Sequence, residues 1–160
     1  MVKRIIGIGF VVAVTTGLVT VSAQQTEPTP EQVAAQATET RQGLFKVLSY
    51  NLGAISGMAR DTVEFDAAVA ERNANIIASL APLIPEMFAA HDTRAFDVET
   101  EALPIIWDRM DEFQEKANNL VSGANTFAAI AKTGDRNAII GGIRAFGGNC
   151  GSCHETFRVD

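Results

Sequence analysis

Sulfur and imidazole are scarce in this chain. Its 160 residues include two cysteines and two histidines. A disulfide framework of the small secreted kind needs four cysteines or more, so that class is excluded. A structural zinc site needs four ligands. Three of the candidates sit together near the C-terminus, and the fourth, His91, is far away in sequence. Tyrosine and tryptophan occur once each. No stretch alternates apolar and polar residues over strand length, and no internal repeat is present, which leaves neither a sheet nor a solenoid. Basic charge is also short. Thirteen Lys and Arg stand against nineteen Asp and Glu, a net charge of −6, and a nucleic-acid partner wants the opposite balance. Apolar residues are plentiful at 47%. The length suits one domain with a real core.

What the scarce residues do is concentrated at the end of the chain. Cys150-Gly151-Ser152-Cys153-His154 is C-x-x-C-H, the attachment signature of c-type haem. Positions i, i+3 and i+4 of a helix share one face, so Cys150, Cys153 and His154 point at one macrocycle. The two thiols add to the haem vinyl groups, and the imidazole takes an axial position on the iron. The competing reading is a plain disulfide. A thioredoxin-like dithiol would need a βαβ setting, and none is present.

The other end reads as an export signal. Lys3 and Arg4 form a positive start, Ile5 to Val21 is apolar, and Val21-Ser22-Ala23 is a small-residue cleavage site. A membrane anchor is the alternative, at the short limit for a span. Cleavage after Ala23 removes Lys3 and Arg4 and leaves eleven basic against nineteen acidic side chains, a net charge of about −8. The expected location is the bacterial periplasm, where haem is attached covalently. No further segment has spanning length, so the mature protein is expected to have no membrane association.

Residues 24–30 are polar and Pro-rich and read as a flexible tether. Residues 31–160 then carry four helical patterns. The first runs from about Glu31 to Arg60, behind a Thr29 cap and Pro30, with Leu44, Val47 or Leu48, Leu52 and Ile55 as its stripe. The second runs from about Thr62, behind an Asp61-Thr62 cap, to Leu80, where Pro82 and Pro85 disrupt it. A short extra turn around Phe88 to Ala90 follows, then a polar connection from His91 to Glu101. The third has Ile106, Met110, Phe113, Ala117, Leu120, Ala124, Phe127 and Ala131 stepping by four and three, and it ends at Gly134. The fourth, capped by Asp135, repeats that step through Ile139, Ile143, Phe146, Cys150, Cys153 and Phe157. Four such helices with short connections predict an all-α, antiparallel up-down-up-down four-helix bundle holding a covalent haem. Gly141-Gly142 and Gly147-Gly148 suggest close approach of the macrocycle or of a neighbouring helix.

Residues 31–160 resemble the cytochrome c′ family, the class II c-type cytochromes. The resemblance rests on Thr40 to Lys46 in the first helix, Phe65-Asp66 as an aromatic-Asp start to the second, Leu103-Pro104-Ile105-Ile106-Trp107, and Phe146 to His154 followed by Phe157-Arg158. It implies one haem c bound through Cys150 and Cys153, with His154 as the proximal iron ligand. It implies that Arg41 pairs with a haem propionate, that Trp107 packs near the macrocycle and that Arg158 sits on the proximal side. Trp107 could instead be plain core, and Arg41 and Arg158 ordinary surface charges. Members of the family are often homodimers packed through the first two helices.

Phe45 is the informative position. The resemblance places it over the distal face of the haem, where low-spin members carry a ligating methionine. Phenylalanine cannot ligate iron. The expectation is a five-coordinate, high-spin iron with His154 as its only protein ligand, unless the distal position is filled from elsewhere. An open position admits NO and CO as distal ligands. The expected role is therefore electron transfer with an unidentified redox partner, binding of small diatomic gases, or both. The alternative is a dedicated module that scavenges or senses NO. No acid–base constellation accompanies the motif, so an enzyme is not expected.

Overall fold

The computed structural model describes residues 27–159. The signal peptide assigned to residues 1–23, and residues 24–26 of the tether, lie outside them. Six helices follow one another: α1 (Pro30–Ala59), α2 (Ala67–Leu80), α3 (Leu83–Ala90), α4 (Ile105–Asp108), α5 (Met110–Ala131) and α6 (Arg136–Phe157). They form four long rods, because α2 with α3, and α4 with α5, each continue one direction of the bundle. The described residues contain no strand, only an isolated bridge between Ala102 and Arg158.

The ends of these rods have local causes. Thr29 and Gln32 form a capping box on α1, and Pro30 fills a first-turn position that needs no N–H donor. The last turn of α1 closes on Gly57, whose carbonyl accepts from Thr62 N at 3.0 Å. Asp61 adopts φ +54° there, a left-handed conformation that a short polar side chain tolerates. This turn displaces the second helix from its expected start. The cap is Asp66, whose Oδ1 accepts from Val69 N at 3.0 Å, and not Asp61-Thr62. The prolines also act more mildly than expected. Pro82 keeps helical angles and starts α3, so the expected single turn is a helix of eight residues. The third rod is broken once, at Arg109, which leaves helical angles with φ −126° and ψ 42°.

The core runs the length of the bundle. At one end Ile55, Met58, Ala74, Phe127 and Ile139 are fully or almost fully buried, and Phe127 stacks on Phe146 with centroids 5.0 Å apart. At the other, Phe88, Phe113 and Phe157 make successive edge contacts, each at 5.1 Å. On α1 the stripe uses Leu48 and leaves Val47 exposed. Close helix approach falls at Gly123, where a Cβ would collide with the Asn149 amide, and at Gly142, where it would lie 3.3 Å from the Phe127 ring. Gly141, Gly147 and Gly148 meet no protein atom within 4 Å, so close approach of a neighbouring helix is confined to Gly142 of that set.

The α5 rod packs extensively against α2 and α6, and α1 against α2, whereas α1 and α6 touch only over a short stretch. The remaining length between α1 and α6 is open. The Asp66 cap gives a direct check on how α2 begins. Asp66→Ala should cost about 1 kcal/mol of stability in chemical denaturation, and Thr62→Ala clearly less.

Candidate haem site

The open length between α1 and α6 is a cavity of about 840 Å³, within the range of roughly 300–1,000 Å³ that encloses an organic ligand. The last two turns of α6 supply one wall, with Cys150, Cys153 and His154. The thiols are half-buried and His154 is at the exposed rim. Successive turns of α1 supply another wall, from Thr38 through Arg41, Gln42, Phe45, Lys46, Leu48 and Ser49 to Leu52. Phe113, Lys116, Ala117 and Leu120 of α5 close the back, and residues 99–102 of the connection cross the mouth.

The spacing of the motif does what helical geometry requires. Cys150 and Cys153 face the same space, and His154 borders it from the next position. Burial raises both thiol pKa values. Cys153 is pushed up to about 11, with the Lys116 charge pulling the other way. Burial lowers the His154 pKa, Arg158 lowers it further and Glu101 opposes both. The imidazole is therefore neutral at pH 7 and has a free lone pair for a metal. Among the described residues no three His, Cys, Asp or Glu side chains converge as a metal-ion cage.

The wall composition fits a haem. Most of the lining is apolar, as a porphyrin face requires. Four of the eleven basic side chains after residue 23 border this one cavity: Arg41, Lys46, Lys116 and Arg158. Only two acidic residues do, Glu99 and Glu101. In an acidic protein that bias suits a ligand carrying two carboxylates.

Arg41 is more deeply committed than a propionate partner need be. It is 5% exposed. Nε and Nη2 donate to the Met87 carbonyl at 3.2 and 3.1 Å, Nη2 also donates to the His91 carbonyl, and Nη1 donates to Thr93 Oγ1 at 3.2 Å. The guanidinium also lies 4.4 Å from the Phe88 ring centre and 5.5 Å from that of Trp107. Burial lowers its pKa and Asp92 opposes the shift, so it remains a cation. The residue borders the cavity while clamping α1 to the end of α3.

Trp107 stands behind the wall rather than on it. Its Nε1 donates to the Phe88 carbonyl at 2.9 Å, and its ring packs on Phe88 at 5.6 Å. Phe88 is the aromatic that borders the cavity. Arg158 is on the rim, paired with Glu101 at 3.0 Å. Phe45 is half-buried on the α1 wall. Met58 is buried elsewhere, and Met58, Met87, Met110 and His91 are all absent from the cavity lining.

Sequence reasoning missed Lys46, Lys116 and residues 99–102. Lys46 lies a quarter-turn from Phe45 on α1, and the cavity is wide enough to span both flanks of the α1 stripe. Lys116 follows Phe113 by one turn, a signal that was present. Nothing local marked the connection.

Comparison with known proteins now decides the lineage. The family model for cytochrome c′ matches residues 36–158. This chain belongs to the cytochrome c′ family. Cytochrome c-554 of Cereibacter sphaeroides is 37% identical over 121 residues, covering 75% of this chain and 90% of that protein. The solved cytochrome c′ of Shewanella frigidimarina superposes with a TM-score of 0.70 at 32% identity, covering 79% of this chain and 97% of that one. A further solved cytochrome c′, described by its ligand-controlled dimer dissociation, gives a TM-score of 0.67 at 29% identity, covering 84% and 100%. The cofactor of the cytochrome c′ family is one covalent haem c, and Cys150 and Cys153 are the cysteines that hold it here.

The Arg41 clamp makes its own prediction. Arg41→Ala in the haem-loaded protein should cost about 2–4 kcal/mol in guanidinium denaturation, because buried carbonyls lose a charged donor. Arg41→Lys should recover only part of that, since an ammonium cannot reach all three acceptors.

Proposed function

We propose that this protein is a periplasmic cytochrome c′ whose iron has His154 as its only protein ligand, and that it transfers single electrons and binds small neutral gases such as NO and CO. The observation that carries the reading is the composition of the cavity wall. Opposite the motif-bearing helix, α1 presents the Phe45 ring, and among the described residues no methionine and no second histidine borders the cavity. Lys46 and Lys116 do border it, but an ammonium group offers no lone pair. The haem supplies a one-electron couple and, without a sixth protein ligand, an open coordination position.

The chain's residues divide the remaining work. Cys150 and Cys153 retain the cofactor, and His154 presents its neutral imidazole to the iron. Phe45 restricts the open side to small ligands. Lys46, Lys116 and Arg41 offer positive charge to the propionates. The Lys3–Ala23 stretch supports export, and among the described residues no helix is long and apolar enough to cross a membrane. We read the protein as a carrier and binding module rather than an enzyme. The missing distal ligand favours gas handling as a second, dedicated role, because a diatomic ligand then meets an open position without displacing a side chain. A homodimer through the first two helices is supported by exposed Val47 and Tyr50 on α1, the latter 79% exposed, and by the relative whose dimer responds to ligand.

Difference spectra test the reading. The ferrous protein should be high-spin and should change on adding NO, and a six-coordinate low-spin spectrum in both redox states would overturn it. Phe45→Ala should speed CO association by about tenfold, equivalent to roughly 1.4 kcal/mol off the barrier. An unchanged rate would remove Phe45 from the ligand's path.

A further inference from the structure

Residues 99–103 link the two walls of the cavity. On the α1 side, Gln42 Nε2 donates to the Glu99 carbonyl at 2.9 Å. On the α6 side, Leu103 N donates to the Phe157 carbonyl at 2.9 Å and Val159 N to the Glu101 carbonyl at 2.8 Å. These two backbone bonds flank the bridge between Ala102 and Arg158. They fix the backbone of Glu101 against the end of α6, and its carboxylate then meets Arg158 Nε at 3.0 Å. Arg158 follows His154 by one turn, and its N–H donates to the His154 carbonyl at 3.1 Å. Glu101, His154 and Arg158 all border the cavity.

We propose that Glu101 is a positioning residue for the proximal side of the haem, acting through Arg158 on His154. The inference rests on the reading of His154 as the iron ligand. Groups outside the ligand set orient the ligands and tune the metal. An arginine on a helix rim has long rotamer freedom. Here the strap removes it, because the carboxylate is presented from a backbone pinned by bonds to residues 157 and 159. Both partners are about half exposed or more, so the pair adds little to stability, and its consequence is where the guanidinium lies. The competing account is a simple field effect of the Glu101 charge.

Two substitutions separate placement from charge. Glu101→Asp keeps the charge but is one methylene too short to hold Arg158 while the backbone stays pinned. Glu101→Gln loses the charge but keeps the reach, and its amide oxygen still accepts from Nε. Both should melt as the parent does. The readouts are the iron–histidine stretching band of the ferrous haem-loaded protein and its midpoint potential. Placement predicts that Glu101→Asp shifts the band, that Glu101→Gln shifts it less, and that Glu101→Asp is silent in an Arg158→Gln background. A larger effect of Glu101→Gln, an equal effect of Glu101→Asp without Arg158, or no shift from Glu101→Asp overturns the proposal. A parent protein lacking the band overturns the assignment of His154, and this inference with it.

Discussion

A flat macrocycle can enter a helical bundle only if two neighbouring helices are held apart. The cavity of this molecule depends on keeping α1 and α6 apart beyond the short stretch where they touch. Hydrophobic packing alone would close that gap, since both helices carry apolar stripes facing it. The bundle resists closure with struts at the open end. Arg41 ties α1 outward to the carbonyls of Met87 and His91 and to Thr93. The Phe88, Phe113 and Phe157 contacts, each at 5.1 Å, brace α3, α5 and α6 against one another. At the closed end the small residues and stacked rings do the reverse and let the helices approach, with Gly142 against Phe127.

The same separation organises the charge. An acidic protein places four of its few cations around one cavity, and they are not equivalent. Arg41 is buried and spends its donors on the fold. Arg158 is held by Glu101 at 3.0 Å. Lys46 and Lys116 take part in no ion pair among the described residues. The two lysines can therefore turn toward a carboxylate that arrives with the cofactor, whereas Arg41 can add only its charge from a fixed position and Arg158 is held at the rim.

Much of this was legible in the sequence, and what was not has physical reasons. The stepped apolar seams gave the rods, and helical spacing put Cys150, Cys153 and His154 on one face. Boundaries were less secure. Asp61-Thr62 and Asp66 are both plausible caps by residue type. Only the closure of α1 on the Gly57 carbonyl shows that the chain is still turning at residue 62. Pro82 and Pro85 looked like a stop, yet a proline at the first turn of a new helix loses no hydrogen bond. Arg41 was visible as a site residue, but its commitment to Met87 and His91, about fifty residues away, was not. Trp107 was placed beside the macrocycle by its motif, whereas its indole N–H bonds to the Phe88 carbonyl and leaves Phe88 on the wall. Residues 99–103 carry no periodicity, and their role depends entirely on bonds to distant helices.

The division between the two walls has a consequence for how such a site can vary. On α6 the haem is held covalently by Cys150 and Cys153, so the spacing of those two residues is fixed by the porphyrin. On α1 the packing of the helix is carried by Leu44 and Leu48, each 8% exposed, and by Ile55, fully buried. Phe45 lies between them on the half-buried flank that meets the cavity. Phe45 packs against that core from the side while bordering the cavity, so a change there trims one peripheral core contact and leaves every donor of Arg41 in place. On the proposed reading of the open side, one side chain sets its reactivity, while the cap, the clamp and the covalent wall keep the bundle as it is.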